Sequence, residues 1–197
     1  MMNKLESIDR AFVLFVNGLH TPFLDEFMWF LSGKLSLVPF YLLLLFLLKR
    51  TYSWKILGMI LLGLTISIFI SDQISVHLFK NLVARYRPSH NEHLKHLLHF
   101  YEVKSGEFYT GGKYGFVSSH AANFFAMIAF IFPFFKVNKR LILIVLISIG
   151  IMVALSRIYL GVHYLSDVIV GAALGILIGY CVRKTLLIIL QKQQISI

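Results

Sequence analysis

Five stretches of this 197-residue chain, at about 27–48, 56–79, 119–135, 140–157 and 163–182, are long and apolar enough to cross a membrane. Each can span the roughly 30 Å of bilayer hydrocarbon as a helix. The expected fold is therefore all-α: a polytopic transmembrane helix bundle. Composition agrees, since 58% of residues are hydrophobic, only 14% are charged and the mean hydropathy is +0.78. Soluble domains are nearer 45–50% apolar and about 25% charged.

The segment before these spans, about 7–19, mixes Asp9, Arg10 and Asn17 with apolar residues. It is too short to span and reads as an interfacial helix. Its acidic residues and lack of a small-residue cleavage site make it a poor signal peptide. Thr21-Pro22 then turns the chain into the first span. The long polar stretch 89–115 is expected to be a loop with a short helix at most. No repeat divides the chain, so a single membrane-embedded domain over 1–197 is expected. The single cysteine, Cys181, excludes an internal disulfide and a cysteine-based zinc site.

A net charge of +10 could serve nucleic acid. Basic residues set among apolar runs fit lipid headgroups or phosphate better, so no nucleic-acid partner is expected. Residues 49–55, 136–140 and 183–192 hold nine basic residues, while all nine acids of the chain lie elsewhere. By the positive-inside rule these segments face the cytoplasm. The opposite span ends, which carry Lys80, Ser118–His120 and Arg157–His163, then face outward together.

Those outward ends hold the chemistry. Lys80 and, after six residues, Arg87-Pro88 follow the second span; Ser118-Ser119-His120 opens the third. Ser156-Arg157, His163 and Asp167 bridge the last two. A phosphoryl group in transfer spreads negative charge over three oxygens. Lys80, Arg87 and Arg157 can neutralise it, the arginines by forked bonds. The Ser118 hydroxyl and the N–H groups at Ser119–His120 add donors at a positive helix end. His163 and Asp167 are four apart, on one helical face, so Asp167 can hold one imidazole nitrogen and leave the other free as a nucleophile. His120 is placed to protonate the departing oxygen and then to activate water. The scheme requires no metal and no cofactor.

These residues resemble the type-2 phosphatidic acid phosphatase superfamily, which includes membrane lipid phosphatases and soluble vanadium haloperoxidases. Its pattern is K-x6-R-P, then P-S-G-H, then S-R-x5-H-x3-D. Lys80/Arg87/Pro88 and Ser156/Arg157/His163/Asp167 match the outer motifs at full spacing. The middle motif departs, with Val117-Ser118-Ser119-His120 in place of the proline and glycine. The resemblance covers a core of about 56–182. It implies a phosphohistidine intermediate at His163, metal-free hydrolysis and a six-helix fold, of which one N-terminal span is replaced here by the interfacial helix. It also implies a membrane lipid substrate: undecaprenyl diphosphate, a lipid A phosphate or phosphatidylglycerol phosphate. The setting expected is a bacterial cell membrane with the site on its outer face. A lipid phosphotransferase, and a non-catalytic protein that binds anionic lipids or transports them, are the rival readings.

Other features have plainer readings. His90, His93, His96 and His99 recur every three residues. That spacing drifts around a helix, so a polar surface is expected rather than a metal centre. The stretch Thr110-Gly111-Gly112-Lys113-Tyr114-Gly115 fails the P-loop spacing and reads as a turn. Asp72 and Lys34 lie within apolar spans and are candidates for pairing or lipid entry. Gly171, Gly175 and Gly179 form a small-residue ridge that is expected to pack inside the bundle.

Overall fold

The computed structural model describes residues 4–33 and 35–195. Lys34, and with it the pairing considered for Asp72, lies outside the described residues. Helix α1 (Lys4–Asn17) begins the chain. Thr21 then caps α2 (Pro22–Ser32), its hydroxyl accepting from the Leu24 N–H at 3.2 Å, with Pro22 in the first turn.

The expected first span is not one helix. Gly33 leaves the helix with φ −70° and ψ 143°, and Ser36 donates back to the Gly33 carbonyl at 2.8 Å. A new helix, α3 (Val38–Lys49), starts with Pro39 in its first turn, where the missing N–H costs nothing. Hydropathy averaged over the run does not show this break, although Ser32-Gly33, Ser36 and Pro39 interrupt it.

Among the described residues three helices are long and apolar enough to cross a membrane: α4 (Trp54–Val83), α6 (Lys139–Tyr159) and α7 (Leu165–Lys192). Between them lies α5 (Ser119–Ile131), which tightens into a 3₁₀ turn, Phe132–Phe134, at Pro133. Towards its end α4 widens into a π-helical stretch, Ile74–Lys80. It stops where Ala84 takes the left-handed conformation, φ 47° and ψ 33°. The polar connection that follows holds two 3₁₀ turns, Pro88–His90 and Lys95–Leu97. It also holds a two-stranded hairpin of β1 (Glu102–Lys104) and β2 (Glu107–Phe108), so the expected loop carries no α-helix.

The glycine ridge packs as expected. A Cβ on Gly171, Gly175 or Gly179 would stand 2.6, 2.1 or 2.2 Å from the carbonyl oxygens of Ser118, Ala122 and Ala126. Thus α7 lies backbone to backbone against α5, a contact that van der Waals packing stabilises where lipid supplies no hydrophobic drive. It fixes the start of α5 beside the start of α7. At the other end of the bundle, Tyr52, in the first basic segment, donates to the Phe134 carbonyl at 2.8 Å, just before the second.

The N-terminal helix does more than lie at an interface. Val13 and Val16 are buried against Ile158, Leu160 and Val168. Asn17 donates to the carbonyls of Tyr159 and His99 at 2.7 and 2.8 Å.

Candidate active site

All eight residues singled out from the sequence lie at one end of the bundle. Lys80 comes from the π stretch of α4, and Arg87 from the segment after Ala84. Ser118, Ser119 and His120 open α5, Arg157 sits in the last turn of α6, His163 in the short α6–α7 connection, and Asp167 in the first turn of α7.

His163 is 1% exposed. Its Nε2 lies 3.4 Å from an Arg87 terminal nitrogen, and its Nδ1 lies 3.5 Å from Asp167 Oδ2. Burial, then the charges of Arg87, Arg157 and Lys80, hold the imidazole well below its ordinary pKa. It is therefore neutral, with a lone pair to use. Asp167 is less dedicated to it than the sequence suggests: its Oδ2 also accepts from the Tyr164 N–H at 2.9 Å, capping α7.

Arg87 is held by acceptors that carry no charge. Its Nε donates to the Tyr114 carbonyl at 3.1 Å and a terminal nitrogen to the Val162 carbonyl at 3.3 Å. The segment expected as a turn provides this cradle, because Tyr86 and Tyr114 form an antiparallel bridge. At Gly111, φ is +65° and a Cβ would stand 2.8 Å from the guanidinium, so glycine is required there for conformation and space alike. Burial and the neighbouring Arg157 lower the Arg87 pKa.

Arg157 donates to the hydroxyls of Ser32 and, at 2.7 Å, Tyr109. Lys80 donates to the Ser119 hydroxyl at 2.8 Å. Among the described residues no carboxylate lies within ion-pair distance of Lys80, Arg87 or Arg157. Two buried polar atoms at the same place, Ser118 Oγ and Arg157 Nε, have no hydrogen-bond partner. Unpartnered buried donors cost about 1–3 kcal/mol each. A pair of them beside three uncompensated cations suits an anion.

Comparison with known proteins agrees with this geometry. Residues 56–189 match the PAP2 superfamily. The chain belongs to the PAP2 superfamily. Over 176 residues it is 34% identical to the lipid A 4'-phosphatase of Bacteroides thetaiotaomicron, covering 89% of this chain and 75% of that one. The lipid A 4'-phosphatase of Porphyromonas gingivalis is also 34% identical, over 94% of this chain and 76% of its own. Phosphatidylglycerophosphatase B of Bacillus subtilis is 28% identical over 92% and 84%.

Two solved structures share the fold at 22% identity. One is a transmembrane PAP2-type phosphatidylglycerolphosphate phosphatase from Bacillus subtilis, with TM-score 0.64 over 93% of this chain and 87% of that one. The other is LpxE of Aquifex aeolicus, with TM-score 0.62 over 93% and 99%. The chain is thus a multi-pass membrane phosphatase.

Two residues at this candidate site, Arg85 and Asp9, are not motif positions. Arg85 donates to Asp167 Oδ1 at 2.9 Å, to Asp9 Oδ2 at 2.7 Å and to Ser166 Oγ at 2.7 Å. Its guanidinium also stacks 4.0 Å from the centre of the Tyr164 ring. Burial would lower its pKa, but the carboxylates of Asp9 and Asp167 outweigh that and raise it. Asp9, 1% exposed, further accepts from the Ser166 N–H at 2.9 Å. No local signal marks either residue, since Asp9 reads as a polar position on a surface helix.

The histidine run does not converge. His90 lies 3.1 Å from Ser89 Oγ, whereas His99 contacts Asp25 Oδ2 at 3.0 Å and stacks on His20. Among the described residues no three His, Cys, Asp or Glu side chains gather as a metal site would require. Asp72 accepts from Asn123 at 3.1 Å.

Proposed function

We propose that this chain removes a phosphate monoester from a membrane lipid, with the sugar-borne phosphate of a lipid A-type glycolipid as the favoured substrate. The observation that carries the reading is charge. Lys80, Arg87 and Arg157 surround His163 and, among the described residues, none of the three is ion-paired to a carboxylate, so the site favours a multiply charged anion. The two lipid A 4'-phosphatases resemble the chain more than the phosphatidylglycerophosphatase does, which supports the choice of lipid.

The chemistry divides as follows. Arg87, Arg157 and Lys80 take the non-bridging oxygens, with the Ser118 hydroxyl and the N–H groups at Ser119 and His120 as further donors. Neutral His163 attacks phosphorus through Nε2 as the bond to the lipid oxygen breaks. His120 gives that oxygen its proton, and Asp167 stabilises the charge that forms on the imidazole through Nδ1–H. Water, deprotonated by His120, then cleaves the phosphohistidine and releases inorganic phosphate.

A lipid tail has somewhere to go. An apolar cavity of about 610 Å³ opens beside Ser119 and His120 and runs between α3, α4 and α5, past Leu45, Leu61, Leu64, Ile68 and Met127. The basic segments at the far end of the bundle support a cytoplasmic side there and a site on the outer face of a cell membrane.

The test is phosphate release by purified protein from lipid A-type, phosphatidylglycerol phosphate and undecaprenyl diphosphate substrates, beside a His163→Ala control. Release from the lipid A-type substrate that disappears in the control is expected. Release that persists in His163→Ala would overturn the mechanism. Transfer of the phosphate to a second lipid with no free phosphate would make the chain a phosphotransferase.

A further inference from the structure

Ser119 stands where the family pattern has glycine, and its hydroxyl oxygen makes two contacts. It accepts from Lys80 Nζ at 2.8 Å and lies 2.8 Å from the hydroxyl of Ser75. Ser75, which is wholly buried, also lies 2.9 Å from the Asp72 carbonyl. Each hydroxyl has one hydrogen to give. The single hydrogen of Ser75 serves Ser119 Oγ or the Asp72 carbonyl, and the Ser119 oxygen accepts from Lys80 in either case. These contacts link Lys80 through Ser119 and Ser75 to the backbone of α4.

The π stretch makes this possible. On an α-helix, at about 100° per residue, positions five apart diverge by about 140°. In a π turn the bond spans five residues, which brings positions such as 75 and 80 towards one side. Ile74–Lys80 is π-helical, with Ser75 and Lys80 near its two ends, and both side chains meet the same Ser119 oxygen.

We infer that Ser119 and Ser75 are positioning residues that hold the Lys80 ammonium in the phosphate site. A lysine on a flexible four-carbon stem is otherwise a poorly placed point charge. Tethered by one of its three hydrogens, it keeps two for phosphate oxygens. The serine that replaces glycine in this chain thus acts on phosphate through Lys80. The inference rests on the phosphate reading of the site.

A double-mutant cycle on phosphate binding tests it, with inorganic phosphate and orthovanadate as probes of the detergent-purified full chain. Ser119→Ala and Ser75→Ala should each weaken binding of both anions by about tenfold, the scale of one charge-assisted hydrogen bond. Their double variant should be no worse than either alone. Against Lys80→Met, adding Ser119→Ala should change nothing. Ser119→Thr, which keeps the hydroxyl, should restore tight binding, and it replaces the alanine variant as the informative change if Ser119→Ala does not fold. Losses that multiply between Lys80→Met and Ser119→Ala would mean that Ser119 contacts phosphate directly, and the inference fails. Unchanged affinity in both serine variants overturns it as well. If instead the wild-type protein releases phosphate from no lipid, the enzymatic reading fails while the anion-binding cycle still decides the role of Ser119.

Discussion

Arg85 and Arg87 stand two residues apart and reach the same histidine site from opposite sides of the charge balance. Arg85 is neutralised by two carboxylates, Asp9 at 2.7 Å and Asp167 at 2.9 Å. Arg87 meets only carbonyls and the His163 ring. The first ties α1 to α7, whereas the second is left for a ligand. Arg85→Gln strands two buried carboxylates and is expected to destabilise the protein by about 3–5 kcal/mol. Arg87→Gln should lower turnover by about a hundredfold with little loss of stability, because it also relieves repulsion from Arg157. Thermal unfolding beside phosphate release checks both; equal destabilisation by the two changes would contradict the division.

The acid limb of kcat/KM should fall below the ordinary histidine value of about 6.5. His163 is depressed by burial and by Arg87, Arg157 and Lys80, against the one carboxylate that faces it, Asp167. The sign follows from linkage. Below about 6.5 the unfolded chain takes a proton that the folded site refuses, so stability declines from that pH down to the folded value. Arg87→Gln removes one cation and should move the limb upward. Substrate ionisation is the same for both enzymes, so an unmoved limb would exclude His163 as its source.

Gly175→Ala should cost about 1–3 kcal/mol through overpacking and should lower kcat more than it raises KM. The added methyl would meet the Ala122 carbonyl at 2.1 Å and push α7 off α5. Ser118 and Asp167, now joined by a 2.9 Å bond from the Ser118 N–H to the Asp167 carbonyl, would separate. Wild-type kinetics in a folded Gly175→Ala protein would count against this packing.

Ala84→Gly is expected to stabilise the protein by about 1 kcal/mol, since Ala84 bears a Cβ at φ 47°. Guanidine or thermal unfolding in detergent reads the change, and activity should persist.

Turnover is expected to survive EDTA, because the neutralising charges are guanidinium and ammonium groups. Complete loss, restored by a divalent cation, would reopen the histidine run as a metal site.

The sequence displayed the bundle and the eight site residues because both rest on patterns of local spacing. Apolar runs mark helices, although among the described residues only three helices, not the expected five, are long and apolar enough to cross, and cations or histidines at fixed intervals count out motifs. Arg85 and Asp9 are joined across 76 positions, and nothing near either residue announces the other. The break at Gly33 is invisible to hydropathy, since the run is apolar on both sides, and is marked only by Ser32-Gly33, Ser36 and Pro39. The π stretch was equally silent, since its residues, ISVHLFK, do not differ in kind from those before it.

Gly171, Gly175 and Gly179 carry no functional group, titrate nothing and touch no phosphate in the mechanism above. Yet these positions have no room for even a methyl group. A saturation screen scored by activity alone would therefore rank them with His163 and Arg157. Only a parallel measure of folded yield would separate the residues that perform the reaction from those that set two helices at the distance where it can occur.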